Sequence, residues 1–325
     1  MQAADIFSQL WPSLIWPLGR LIFFISIGLL VANFIESLNW TSKIATLARP
    51  LIRFGNLSET AGASFSMALF SGISANTMLS EAYQKKHIMK KELILSNLFN
   101  SLPTYFLHLP TVLVITAPLI KGAAIIYVAI TFGAAIFRTI TIVILSRFLL
   151  PVPEKTGAGT ATEERPQAEG IDWRGALTKS WKRFRKRIRK IIRYTVPIYI
   201  LIFLMHRVGI FETLERGMAE YLSFLSWLTP QAIGIITLHI AAEFTAGLAV
   251  AGALLQEGSM NYREVVLALL VGNVLSSPIR AIRHQFPYYA GIFQPRMAAE
   301  LIFYNQVFRV GSLILMGSIY FLVSL

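Results

Sequence analysis

Four stretches of this chain are apolar and long enough to cross a bilayer, and that constrains the fold before anything else does. They are Leu14–Ile35, Gly122–Leu150, Tyr194–Phe211 and Ala298–Leu325. A hydrocarbon core about 30 Å thick takes about 20 residues of helix. Two further stretches reach the length but carry prolines. Leu93–Ile120 contains Pro103, Pro110 and Pro118, and Val265–Phe293 contains Pro278 and Pro287, with Pro295 just beyond. Proline removes a backbone donor and interrupts the helical ladder. In a bilayer, freed backbone groups are tolerated only where protein or a water-filled cavity covers them. With 55% hydrophobic and 14% charged residues, against about 25% charged in an average soluble domain, the chain predicts an all-α integral membrane protein.

Two other apolar segments are too short to cross twice. Ala61–Tyr83 and Ile233–Leu255 are rich in small residues, and each has a glycine near its middle, in Ser71-Gly72-Ile73-Ser74 and in Thr245-Ala246-Gly247. They read as re-entrant helical hairpins that enter and leave on one side. The competing reading is an ordinary glycine-containing span.

The net charge of +13 is local. Residues 173–193 hold ten Lys/Arg and no acid, which leaves only +3 for the rest. Within this segment Trp173, Leu177, Trp181, Phe184, Ile188 and Ile191 recur at spacings of three and four, so apolar and cationic groups take opposite helical faces. Such a helix lies at the headgroups of anionic lipid, and no nucleic-acid partner is expected. Before it, residues 151–172 are rich in Pro, Gly, Thr and charge, as in a flexible linker. Met1–Ser13 has no Lys or Arg and so lacks a signal-peptide n-region, which makes the first apolar stretch a retained span. Cysteine is absent, which excludes disulfides, thiolate metal sites and Cys nucleophiles. No P-loop, zinc-finger or GxGxxG pattern occurs, and no cofactor or metal is expected.

Landmarks of the first half recur in the second. Leu79-Ser80-Glu81 matches Leu255-Gln256-Glu257 and Asn97 matches Asn273, both 176 positions apart; Pro110 and Pro118 match Pro287 and Pro295 at 177, and Phe137-Arg138 matches Phe308-Arg309 at 171. This predicts a duplication, 1–150 and 194–325, each copy with about three spans and one hairpin. Three crossings is an odd number, so the second copy starts on the opposite side, giving an inverted-topology repeat. Charge agrees by the positive-inside rule. Residues 84–91 hold four lysines, whereas 256–264 hold two glutamates against one arginine. The expected topology is a plasma-membrane protein with both termini outside and the 151–172 linker cytoplasmic. Inverted repeats with broken helices are the architecture of secondary transporters.

The hairpin SFSMALFSGISANTMLSEAY, a charged turn and then ELILSNLFNSLP together resemble the nucleoside-recognition, or Gate, domain. That domain occurs in concentrative nucleoside transporters, in the membrane part of ferrous-iron transporters and in spore-maturation membrane proteins. The resemblance covers about 60–150 and, more weakly, 231–325. It implies a helical transporter fold. The Gly-Gln-Thr-Glu type motif of nucleoside transporters is not recognisable here, and the Cys-containing gate motif of iron transporters is ruled out by the absence of Cys.

Candidate site residues are the polar groups inside these spans, where ionisable side chains are costly and face a cavity or a partner. His239 and Glu243 are one turn apart on the second hairpin. Asn97 and Asn100, with Ser101, precede one set of prolines, and Asn273, Ser276 and Ser277 precede the other; all can bind solute or cap a broken helix. Arg280, Arg283 and His284 follow the Ser277-Pro278 break, placed either to hold an anionic group or to reach lipid headgroups, and His108 takes the related place in the first half. Arg138 and Arg309 are read as structural, neutralising hairpin carbonyls or Glu243. The expected function is a permease for a small polar solute, anionic ones included. A membrane-embedded enzyme on a lipid phosphate and a membrane scaffold are the alternatives, and self-association into a homo-oligomer stays open.

Overall fold

The structure, a computed structural model, describes residues 10–37, 48–152, 173–210, 213, 216–217, 228–241 and 244–324. Every regular element among them is helical. A π-helical turn, Trp11–Ile15, leads into α1 (Trp16–Ser37). There follow α2 (Arg49–Phe54), α3 (Glu59–Ala68), α4 (Gly72–Gln84), α5 (Lys90–Phe99), α6 (Ser101–Ile120) and α7 (Gly122–Leu149). The second half holds α8 (Trp173–Arg207), α9 (Pro230–Ala241), α10 (Phe244–Gln256), α11 (Tyr262–Arg280), a π turn (Ala281–Gln285), α12 (Phe286–Phe293) and α13 (Pro295–Val323).

Four helical stretches are long and apolar enough to cross a membrane: Lys90–Ile120, Gly122–Leu149, Tyr262–Phe293 and Pro295–Val323. Their outer faces keep large apolar side chains in the open, among them Phe148 at 79% exposure and Val323 at 82%, the kind of surface water does not tolerate in quantity. The expected spans Leu14–Ile35 and Tyr194–Phe211 are represented by shorter apolar stretches, Trp11–Ile27 and Ile191–Met205.

Both short apolar segments are helix–break–helix units. Their arms run 10 and 13 residues in α3 and α4, and 12 and 13 in α9 and α10. At 1.5 Å per residue each arm is about 15–20 Å long, too short to cross alone. The arms of each unit pack on one another. Caps define the first: Ser58 accepts from the Ala61 amide at 3.3 Å, and Ser71 from the Ser74 amide at 3.2 Å. In the second, the central glycine lies within an arm. Gly247 lies inside α10, where an added Cβ would meet His239 Cβ at 2.9 Å and the Ile235 carbonyl at 3.1 Å. This glycine serves close approach of the two arms; residues 242–243, between α9 and α10, lie outside the described residues.

The prolines also act differently from expectation. The first broken span is interrupted at Asn100, with Pro103 in the first turn of α6, where its missing donor is no loss. Pro110 and Pro118 stay within the helix. In the second, Pro278 sits inside α11 and the ladder widens to the π turn just before Pro287. A π turn likewise precedes Pro17, with the Trp16 amide on the Trp11 carbonyl. Widening accommodates the carbonyls that a proline leaves without a donor.

The basic segment and the following span are one helix, α8, of 35 residues with Pro197 inside. No breaker separates Arg193 from Tyr194, and one proline removes one bond rather than ending a helix. The C-terminal half of the apolar face read as lipid-facing packs on protein. Phe184, Ile188 and Ile191 cluster with Leu21 and Ile25 of α1, and the Ser180 hydroxyl donates to the Leu30 carbonyl at 3.1 Å. Leu177, Trp181, Lys182, Arg185 and Arg189 remain exposed.

Two left-handed turns recur at matching places. Lys86 (φ 61°) follows α4 and Gly258 (φ 72°) follows α10. Each turn closes with an amide bonded five residues back, His87 to Ala82 at 2.9 Å and Ser259 to Leu254 at 3.0 Å. Lys121 (φ 48°) joins α6 to α7, and Gln294 (φ 72°) joins α12 to α13. These pairs lie 172 and 173 positions apart.

The chain divides into two compact units. The first is Met1–Leu107, Thr139–Val196 and Tyr288–Leu301; the second is His108–Arg138, Pro197–Pro287 and Ile302–Leu325. In the first, α1 packs along α4, and Phe65 stacks on Phe99 with centroids 4.3 Å apart. In the second, α9 packs on α10 and α11 around Ile235, Ile236, Leu248 and Leu269, all fully buried. There α11 starts from a reciprocal cap: Asn261 Oδ1 accepts from the Glu264 amide at 3.0 Å, and Glu264 Oε2 accepts from the Asn261 amide at 2.9 Å.

Candidate functional site

Each unit buries one polar cluster beside a helix break. In the first, Asn97 stands on the last turn of α5. Its Nδ2 donates to Asn76 Oδ1 on α4 at 2.9 Å and to the Tyr289 hydroxyl on α12 at 3.3 Å. Asn97 is 3% exposed, and its Oδ1 has no hydrogen-bond partner among the described residues; nor has the buried Ser96 hydroxyl. Asn100 terminates α5 and pairs with Ser64 at 3.3 Å. The Ser101 hydroxyl donates to the Leu98 carbonyl at 2.6 Å and Thr104 to the Asn100 carbonyl at 2.7 Å, so Asn100 and Ser101 do the work of a helix end. Glu81 is buried one turn from Lys85, at 3.7 Å.

In the second unit Asn273 occupies α11. Its Nδ2 donates to the Tyr127 hydroxyl on α7 at 3.0 Å, and its Oδ1 accepts from Arg280 Nη2 at 2.8 Å. Arg280 thus turns back along its own helix, against the headgroup reading. A charged donor makes this the stronger of the two carboxamide contacts. The Ser277 hydroxyl donates to Gln306 Oε1 on α13 at 2.7 Å. Ser276 is buried, its hydroxyl without a partner among the described residues. His239 is fully buried, hemmed by Gly247 and Gly272, where an added Cβ would come within 2.5 Å of its Nδ1. Its ring tilts against Phe244 at 5.2 Å, and Phe244 stacks on Tyr127 at 5.8 Å. Neither ring nitrogen has a partner among the described residues.

Of the expected site residues, Asn97 and Asn100 belong to the first unit, and His239, Asn273, Ser276, Ser277, Arg280, Arg283 and His284 to the second. Glu243 lies outside the described residues. The run Arg280–His284 does not act as one group. Arg280 points to Asn273, Arg283 is half-buried in the π turn, and His284 is exposed. Arg138 finds a hydroxyl rather than hairpin carbonyls, its Nη1 donating to Ser312 at 3.3 Å. Sequence reading missed Asn76, Tyr127, Tyr289 and Gln306. A tyrosine in an apolar span is an available signal, since its hydroxyl needs a partner when buried, but nothing in the sequence says which.

No family model matches the chain, and no solved structure matches it. Three proteins of Methanocaldococcus jannaschii are similar over most of its length. "Uncharacterized protein MJ0871" is 24% identical over 279 residues, covering 85% of this chain and 84% of the relative. "Uncharacterized protein MJ0880" is 23% identical over 299 residues, 90% and 94% of the two chains. "Uncharacterized protein MJ1556" is 24% identical over 290 residues, 87% and 88%. The likeness therefore runs through both halves.

Proposed function

We propose that the chain is a multi-pass membrane permease of the Gate type, an inverted repeat that moves a small polar, anionic solute by alternating access. The observation that carries this reading is Arg280 held against Asn273, which itself bonds Tyr127, at the end of a helix that widens into a π turn before Pro287. A cation in such a helix is expensive, about 2.5–3.5 kcal/mol even on insertion scales, and a site that must meet an anion is a reason to keep one. The recurring left-handed turns, 172 and 173 positions apart, support a duplication. Repeats of opposite orientation can exchange conformations, so the inward- and outward-facing states are counterparts. In this reading 84–91 and the 151–172 linker are cytoplasmic, the termini are outside, and the exposed cations of α8 meet anionic headgroups.

Counterflow in reconstituted vesicles tests transport. Uptake of small carboxylates or phosphates is expected, reduced about tenfold by Arg280→Gln, the loss of one charge-assisted contact. No counterflow for any anionic or neutral polar solute would end the permease reading. The inversion is tested separately. Cysteines at Lys86 and Ser259 are expected to react with an impermeant reagent from opposite sides; labelling from one side would leave duplication without inversion.

A further inference from the structure

In the first unit, three polar contacts fasten the corner between α12 and α13 to α4 and α5. The corner is tight: α12 ends at Phe293, Gln294 turns left-handed at φ 72°, and α13 starts at Pro295. A joint of one residue makes the two helices move together. Buried in the unit, Asn97 on α5 donates to the Tyr289 hydroxyl on α12 at 3.3 Å. The Ser80 hydroxyl on α4 donates to the Ile292 carbonyl at 2.8 Å, and Gln84 Nε2 donates to that hydroxyl at 3.2 Å. At the surface, Lys90 Nζ stands 2.6 Å from Glu300 Oε2 on α13. Lys90 and Asn97 are seven residues apart on α5, two turns or about 10 Å.

The balance between closed and open is close. The Ile292 carbonyl is among the last of α12, which meet no amide of their own helix. Ser80 supplies a donor from another helix, so this end of α12 is satisfied by α4 while the corner is seated. The Lys90–Glu300 pair is partly exposed, and such pairs contribute little singly. Against these contacts stand two groups that gain from opening. Asn97 Oδ1 and the Ser96 hydroxyl are buried without a hydrogen-bond partner among the described residues, and water would meet both. α5 itself stays with the hairpin, because Glu92 Oε1 accepts from the Ser58 amide at 3.0 Å, at the start of α3. The α6–α7 corner of the second unit is seated through glycines instead. A Cβ at Gly252 would stand 2.6 Å from the Leu119 carbonyl, and one at Gly122 would stand 2.9 Å from the Tyr262 ring.

We propose that the α12–α13 corner is a latch over the Asn97 cluster. While Lys90–Glu300 and Ser80–Ile292 hold, the corner shuts the way from the surface to Asn97; when they part, it lifts and the cluster meets solvent. The permease reading gives the latch its purpose, but the test needs no solute. Absent counterflow together with a Lys90-dependent opening would end that reading and leave the latch standing.

The chain has no cysteine, so a single Ser96→Cys reports access to the cluster in the full-length protein. Its reaction with a small water-soluble maleimide is expected to be slow. Lys90→Glu or Glu300→Lys sets like charges face to face and should raise the rate about two- to fivefold, the strength of an exposed pair. The two together re-form the pair reversed and should bring the rate back. Ser80→Ala should raise it about two- to tenfold, the worth of one hydrogen bond; where that variant fails to fold, the charge reversal carries the test. Ser276→Cys, in the second unit, should keep its own rate throughout. A rate indifferent to Lys90 and Glu300, or a reversed pair that leaves it high, overturns the latch. So does an equal rise at Ser276→Cys, which would mean general loosening rather than a moving corner.

Discussion

The two units hold the same carboxamide–tyrosine pair and complete it differently. In the first, Asn97 donates to Tyr289, and its carbonyl oxygen, buried, meets no donor among the described residues. In the second, Asn273 donates to Tyr127, and its carbonyl is taken by Arg280. The same buried pair is thus present twice, once with a neutral partner and an unmet oxygen, once with a cationic donor on that oxygen. A buried acceptor without a donor costs about 1–3 kcal/mol. In the permease reading proposed above, Asn97 Oδ1 is the atom in the first unit placed to receive a solute donor.

The largest effect should come from closing this difference. Asn273→Leu removes the acceptor of a charged donor and the donor to a buried tyrosine. It is expected to destabilise by about 2–3 kcal/mol, the range for bonds to charged groups, read as a lower denaturant midpoint with unchanged slope. Asn97→Leu removes two neutral bonds but also the unmet oxygen, so the terms nearly cancel and the change should stay within about 1 kcal/mol. Solute uptake should respond in the opposite order of surprise, with Asn97→Leu stable yet impaired. Equal losses of stability at the two positions would show that Arg280 contributes nothing through Asn273.

The elements were legible because bilayer physics writes them plainly. Apolar length marks the spans, and small-residue segments too short to cross twice mark the hairpins. Caps such as Ser58, Ser71 and Asn261 fix their starts. The register between halves was not legible. Asn97 and Asn273 match by residue type, whereas the positive-φ turns at Lys86 and Gly258, and at Lys121 and Gln294, share no residue type and leave no mark in the sequence. Side-chain partners were also hidden. Arg280 could be placed on a span, but its choice of Asn273 two turns back over the headgroups depends on helix packing that no local pattern carries. The fate of α8's apolar face is similar: periodicity showed the face, and only the fold showed α1 covering it.

A smaller effect separates the two hairpins by their glycines, which sequence reading had treated alike. Gly72 opens α4 with no heavy atom within 4 Å of where a Cβ would stand, and its φ is not positive. Gly72→Ala should therefore stabilise slightly, by about 0.4–1 kcal/mol, because the unfolded chain loses more freedom than the folded one. Gly247 lies where the arms of the second hairpin touch, 2.9 Å from the would-be position of His239 Cβ and 3.1 Å from the Ile235 carbonyl. Neither neighbour can swing away, one being the root of a fully buried side chain and the other backbone. Gly247→Ala should cost about 1–3 kcal/mol, the range for overpacking a filled core. It should also shift the Tyr127–Phe244–His239 stack, readable as a change in near-UV circular dichroism. A stabilising Gly247→Ala would mean that the arms of the second hairpin are not in contact, and that its glycine serves a turn after all.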